Sequence, residues 1–274
     1  MNIITNVETT WCPGCTNYHI LGGFRNFIEK EIKKGKKKDD FAIVSGIGCH
    51  AKIFDYVDLN GLNTLHGRVL PACLGIKIGN PNLTVFGFAG DGDAYAEGAS
   101  HLIHAARYNA DINYLVHNNQ VFALTVGQPT PTTEMGYRDK TTPAGVKILP
   151  LNPIKLMLAS GATFVARVFS DDKQVENILR ESVKHKGFSL IEVIQPCVTF
   201  HPDIGYKEKT YSLKSHNKRN FNAAWKKAEE FEYNTVKKIP VGIFYQTKRE
   251  TFEDNMEQLR ELKRKKIGWK DIRR

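Results

Sequence analysis

A chain of 274 residues, 41% hydrophobic and 25% charged, is long enough to bury a full core without disulfides. No apolar run reaches the roughly 18 residues that a membrane span requires, and the start, MNIITNVETTWCPGC, lacks the basic and apolar stretches of a secretory signal. A membrane-spanning protein and a disulfide-framed secreted module are thereby set aside, and the chain is expected in the reducing cytoplasm. The net charge of +10 is uneven: residues 206–274 carry 19 Lys/Arg against 10 Asp/Glu, which leaves residues 1–205 nearly neutral. The pattern predicts one α/β domain over 1–205 and a basic extension over 206–274. Such an extension suits nucleic acid, an acidic protein, a phosphorylated ligand or plain solvation equally.

In chain order, Leu21, Phe24, Ile28 and Ile32 recur at spacings of three and four, which predicts a helix over 17–34. An exposed turn, KKGKKKDD, leads to a strand at 41–44 that ends in Ser45-Gly-Ile-Gly48. The next strand, 83–88, runs into Ala89-Gly-Asp-Gly-Asp93, and a helix over 95–108 follows with Ala99, Leu102, Ile103 and Ala106 on one face. A strand at 112–116 ends in His117-Asn-Asn119. A long polar stretch, 125–150, holds four prolines, and a connection of that length is usually functional. A strand at 162–168, a helix at 171–186 and a strand at 189–194 complete the series, the last followed by Gln195-Pro-Cys197. Alternating strands and helices predict right-handed crossovers and a doubly wound, mostly parallel sheet. Ligands bind such sheets at the carboxyl ends of strands, where both Gly90-Asp-Gly92 and Asn118-Asn119 fall.

Gly90-Asp-Gly92 is separated from Asn118-Asn119 by 25 residues, enough for one strand–helix–strand unit. Glycines let backbone approach phosphate oxygens closely, and the helix that follows points free N–H groups at an anion. A carboxylate and an amide oxygen suit Mg²⁺, which prefers oxygen ligands and retains phosphate oxygens in its shell. The combination resembles the thiamine-diphosphate-binding motif. That resemblance implies Mg²⁺ ligation by Asp91, Asn119 and the carbonyl of Val121, with Gly90, Gly92 and Asp93 along the diphosphate.

Trp11-Cys-Pro-Gly-Cys15 is a CxxC pair that suits a redox dithiol, half a zinc site or half an iron–sulfur site. Cys49 and Cys197 are isolated, but each follows a predicted strand and so falls on the carboxyl edge of the sheet. Cys73, in an apolar helical run, reads as a packed core thiol.

Taken in order, WCPGC, GIGCHAKI, TLHGR (64–68), GDGDAYAEG, NNQVFALT, GQPTPTT (127–133) and QPCVTF (195–200) resemble the β subunit of 2-oxoacid:ferredoxin oxidoreductases, over residues 11 to about 200. The resemblance implies a thiamine-diphosphate-binding fold with an N-terminal cluster-binding arm. Cys12, Cys15, Cys49 and Cys197 would hold one [4Fe–4S] cluster, with no second one expected. Gly48, Cys49, His66, Leu124 and Thr125 join the diphosphate residues around the cofactor. Lys52 would meet a substrate carboxylate, and His66 and Arg68 the cofactor or substrate. The implied reaction is CoA-dependent oxidative decarboxylation of a 2-oxoacid (pyruvate, 2-oxoglutarate or a branched-chain acid), with ferredoxin as electron acceptor and an α subunit as obligatory partner. Thr16, Val126 and His201 depart from the family pattern, and Val126 leaves substrate specificity open. Two rivals stand beside this: a non-oxidative 2-oxoacid decarboxylase subunit, which has no use for four thiolates, and a basic binding module on a degenerate cofactor fold. No aromatic-interleaved basic motif points to nucleic acid.

Overall fold

A computed structural model describes residues 2–203, 205–234, 238–268 and 271. After an extended N-terminal arm come α1 (Asn17–Lys33), β1 (Phe41–Ser45), α2 (Ile53–Tyr56), β2 (Asn60–Asn63), α3 (Val69–Gly79) and β3 (Thr84–Gly90). A wide π-type turn at Asp93–Glu97 leads into α4 (Ala99–Tyr108) and β4 (Ile112–Asn118). A small hairpin, β5 (Val121–Phe122) and β6 (Gln128–Pro129), precedes α5 (Pro153–Ala159), β7 (Phe164–Phe169), α6 (Asp172–Lys184) and β8 (Ser189–Ile194). The chain closes with α7 (Tyr206–Lys209), β9 (Thr210–Ser212), α8 (Phe221–Ala228), β10 (Ile239–Gln246) and α9 (Glu257–Lys265).

The eight-stranded sheet has the order β2-β1-β3-β4-β8-β7-β10-β9. The six strands from β2 to β7 run parallel, and β10 turns antiparallel against β7. Both faces of the central strands are apolar because both are covered. On one face α1 and α6 pack with Phe24, Phe27 and Val175 against Phe86, Phe88, Leu115 and Ile191. Phe24 meets the rings of Phe86 and Phe88 edge-on at 5.2 and 5.1 Å, the arrangement aromatic quadrupoles favour. On the other face α3, α4, α5 and α8 cover Val85, Tyr114, Val165 and Leu190. The fold is thus the doubly wound, mostly parallel sheet that the alternating pattern predicts.

Several predicted boundaries move. The strand foreseen at 112–116 carries on to Asn118 and that at 83–88 to Gly90, so the polar turn residues emerge directly from the sheet. Residues 206–274 do not form a detached extension in their described part: β9 and β10 add two strands to the same sheet, and Phe231, Ile239 and Phe244 are fully buried. Their basic residues are spread along the stretch, four of them on α9, and the charged residues 237, 270, 273 and 274 lie outside the described residues. Among the described residues no helix is long and apolar enough to cross a membrane.

Candidate functional site

The carboxyl ends of β1, β3, β4 and β8 converge on one cleft. From β1 come Gly48, Cys49 and His50; from β3 Gly90, Asp91, Gly92 and Asp93; after β4 Asn119 and Val121, with Leu124 and Thr125 on the hairpin loop; His66 closes one side. Two glycines are dictated by geometry. Gly48 has φ +138°, and a Cβ on Gly92 would sit 2.2 Å from the Phe122 ring.

Asp91 is 1% exposed and faces no basic side chain among the described residues. Its Oδ2 accepts from the hydroxyls of Thr130 at 2.5 Å and Thr132 at 2.9 Å, and its Oδ1 from the N–H of Asn119 at 3.4 Å. Burial pushes its carboxyl up to about 6, and these hydrogen bonds offset only part of that. A buried carboxylate without a counter-charge is costly unless a cation joins it. Asn119 Oδ1 accepts from the N–H of Val121 at 3.1 Å, so carboxylate, amide and peptide lie together in one turn. The donor set is all oxygen, as Mg²⁺ requires. Asp93 also lines the cleft, but its carboxylate accepts from the N–H groups of Gly67 at 2.5 Å and Ile47 at 3.3 Å and lies 3.2 Å from His50 Nε2. That carboxylate ties the loops of Ile47, His50 and Gly67 to the end of β3.

The cysteine arm reaches the same rim. Trp11 stands edge-on to Tyr56 and Tyr18, and its indole N–H donates to the Cys49 carbonyl at 2.6 Å. Cys12 and Cys15 close a tight turn through Cys15 N–H and Cys12 O at 3.0 Å. Donors point at the sulfurs: Phe200 N–H lies 3.4 Å from Cys197 Sγ, Thr199 Oγ1 3.5 Å from Cys12 Sγ and Gln195 Nε2 3.9 Å from Cys15 Sγ. Burial pushes the Cys49 thiol up to about 11; Lys52 opposes this, and the Cys197, Cys15 and Cys12 thiols add to it. The Cys49 thiol therefore stays protonated until a metal takes the proton's place. All five cysteines are free, and Cys73 is buried in the core of the opposite face. Among the described residues no three His, Cys, Asp or Glu side chains surround one point closely enough for a single ion.

The structure gathers Gly48, Cys49, His66, Gly90, Asp91, Gly92, Asp93, Asn119, Val121, Leu124 and Thr125 around the cleft. It does not bring Lys52 and Arg68 there. Lys52 Nζ donates to Thr10 O at 2.9 Å and tacks down the arm, and the Arg68 side chain reaches back to Gly67 O at 3.5 Å. Sequence reasoning missed His50, His117, Gln195 and the pair Thr130 and Thr132. His117 donates or accepts at Nδ1 with Asn17 at 2.8 Å, while its buried Nε2 has no partner, and burial holds the ring neutral. A histidine breaking the apolar run of β4 was the available signal; the two threonines lay in GQPTPTT without an assigned role.

Residues 46–193 match the family model of the thiamine pyrophosphate enzyme C-terminal TPP-binding domain, and residues 197–261 match that of the C-terminal region of the pyruvate ferredoxin oxidoreductase beta chain. The β subunit of a 2-oxoacid:ferredoxin oxidoreductase from Saccharolobus solfataricus is 41% identical over 86% of this chain and 81% of its own. The 2-oxoglutarate synthase subunit KorB of Archaeoglobus fulgidus is 37% identical over 94% of this chain and 92% of its own. A 2-oxoglutarate:ferredoxin oxidoreductase from Magnetococcus marinus, solved with 2-oxoglutarate, coenzyme A and succinyl-CoA bound, superposes with a TM-score of 0.87 at 32% identity, covering 94% of this chain and 88% of that one. With a buried carboxylate and an amide at neighbouring strand ends and four thiols on the same rim, the chain belongs to the β subunits of the 2-oxoacid:ferredoxin oxidoreductases.

Proposed function

We propose that this chain, together with an α-type partner subunit, carries out the CoA-dependent oxidative decarboxylation of a 2-oxoacid in the cytoplasm and passes the electrons to ferredoxin. It holds the diphosphate half of thiamine diphosphate through Gly90 and Gly92, and Mg²⁺ through Asp91, Asn119 and the carbonyl of Val121. Cys12, Cys15, Cys49 and Cys197 hold one [4Fe–4S] cluster. When bound, thiamine diphosphate supplies the electron sink for decarboxylation. The observation that carries this proposal is Asp91: a carboxylate 1% exposed, fed only by neutral donors, at the strand end where a diphosphate-bound cation belongs.

The residues around the site have definite tasks in this scheme. The N–H of Phe200 and the side chains of Thr199 and Gln195 stabilise negative charge on the cysteine sulfurs. Trp11 and Lys52 hold the arm against the Cys49 loop. Of the three basic residues proposed for the substrate, His66 alone lines the cleft and is retained as the one that meets cofactor or substrate. Electrons leave at the Cys12 end, where the thiol is exposed. The basic helix α9 sits at the other rim, beside Asn82 and the start of β3, and is not part of that exit. Exposed Ile148 and Leu149, on the long 125–150 connection that borders the cleft through Phe122, suit contact with the partner subunit.

The test is co-expression with the neighbouring α-type subunit and anaerobic purification. A brown complex with iron and sulfide for one cluster per β chain is expected. It should reduce viologen in a CoA-dependent reaction with 2-oxoglutarate, pyruvate or a branched 2-oxoacid. A colourless complex that releases CO₂ without CoA or an acceptor would instead identify the decarboxylase.

A further inference from the structure

Behind the Asn118-Asn119 turn lies a buried polar chain that links the C-terminal part of the protein to Asp91. Arg167 on β7 and Glu192 on β8 are cross-strand partners, both 0% exposed, with Arg167 Nε donating to Glu192 Oε2 at 2.7 Å. Among the described residues the other two guanidinium nitrogens have no hydrogen-bond partner; the group lies 5.0 Å from the Phe231 ring centre and 5.4 Å from that of Phe244. A buried ion pair is commonly no better for stability than an apolar pair of similar size. Its presence here calls for another role.

That role lies on the second oxygen of Glu192. Oε1 accepts from the Tyr233 hydroxyl at 2.6 Å and from Asn118 Nδ2 at 2.9 Å, and Asn118 Nδ2 also donates to the Tyr233 oxygen at 2.6 Å. An ionised carboxylate only accepts, so it fixes which way the Asn118 amide faces. Asn118 Oδ1 is thereby turned to the N–H of Gln120 at 3.2 Å and the hydroxyl of Thr132 at 2.9 Å. Gln120, with φ +61°, is a non-glycine residue in the left-handed region, set between Asn119 and Val121. Such a conformation persists only where its surroundings over-determine it. Thr132 lies equally close, 2.9 Å, to Asp91 Oδ2.

We propose that Tyr233, Glu192 and Arg167 are positioning residues for the cation site. They lock the Asn118 amide, the amide locks the strained Gln120, and Gln120 sets the spacing of Asn119 and Val121. Through the Tyr233 hydroxyl, the C-terminal part of the chain governs cation affinity from behind the site. This rests on the reading that Asp91 and Asn119 hold the divalent cation.

The experiment is calorimetric titration of Mg²⁺ into the metal-free αβ complex at saturating thiamine diphosphate, with hydrogen exchange of the 117–122 amides in the absence of metal. Tyr233→Phe should weaken Mg²⁺ about tenfold and speed exchange in that turn. Phe231→Leu, which loosens the same packing without touching the hydrogen bonds, should lower the melting temperature but hold Mg²⁺ affinity within about twofold. If Tyr233→Phe fails to assemble, Arg167→Lys, which loses the Nε donation, takes its place with the same expectation. An unchanged Mg²⁺ affinity in Tyr233→Phe, or equal weakening in Phe231→Leu, overturns the inference while Asp91→Asn still abolishes binding. Wild-type Mg²⁺ affinity in Asp91→Asn overturns the cation site itself.

Discussion

The two rims of the sheet bury the same kinds of group and treat them oppositely. At the amino rim Lys77 is 1% exposed, yet its ammonium is spent on Asp111 at 3.2 Å and on the carbonyls of Pro81 and Leu83 at 3.0 and 2.9 Å. Asn109, also fully buried, donates to the carbonyls of Arg249 and Glu250 and accepts from the N–H of Phe188. At the carboxyl rim Asp91 has no counter-charge among the described residues, and His117 Nε2 and Gln195 Oε1 have no partner at all. Buried polar groups are normally satisfied. A buried carboxylate without a counter-charge marks a rim that awaits something else; a buried ammonium matched to Asp111 marks one that holds the fold together.

Substitutions on the two rims should therefore fail in different ways. The largest effect belongs to Asp91→Asn. It removes the carboxylate and keeps the shape, so Mg²⁺-dependent binding of thiamine diphosphate should fall roughly a hundredfold or more by calorimetry. The melting temperature of the cofactor-free complex should hold or rise, because burial already disfavours the ionised form. A cofactor-free complex that melts markedly lower would show Asp91 to be structural and would erase the contrast. Cys49→Ser should bleach the visible absorption of the anaerobic complex and abolish viologen reduction, with Mg²⁺ affinity left within about threefold. Opposite them, Lys77→Ala takes the closer cation from Asp111, leaving Lys186 at 3.8 Å, and should cost about 3 kcal/mol by urea denaturation, while cofactor affinity stays put.

A smaller effect follows from His185. Burial pushes its ring down to about 4, and its Nε2 lies 2.8 Å from Thr163 Oγ1. A base whose folded value is depressed contributes stability above its unfolded value of roughly 6.5 and loses it as pH falls from there toward 4. The urea midpoint should decline across that window, and His185→Gln should flatten the decline. Smallest of all, Arg264→Ala on α9 removes a solvent-exposed pair with Glu261 and should leave the urea midpoint where it is.

How legible each rim is in the sequence follows from the same contrast. The carboxyl rim is built from residues that have no place in an ordinary strand or helix, such as Gly90-Asp-Gly92, Asn118-Asn119 and cysteines after strand ends. They stand out without a structure. The helix at 17–33 and the strand at 189–194 were legible because one period dominates each. β10 was not, because its apolar run lies in a stretch whose lysine count draws the reading toward a solvated tail. β2, Asn-Gly-Leu-Asn, is exposed throughout, and only pairing with β1 makes it a strand. Arg167, Glu192 and Tyr233 each look incidental in sequence, since their meaning lies in contacts that span from 25 to 115 residues. Lys52 and Arg68 show the converse error: a motif places a charge near a site, but only side-chain geometry says which way it points.

The indole of Trp11, bonded to the carbonyl of Cys49, ties the beginning of the polypeptide to a loop laid down after the first strand. Cys197 is supplied only once β8 has been threaded between β4 and β7. On the proposal that these four thiols hold a cluster, the set is complete only when the central strands are aligned, and loading it would report that alignment.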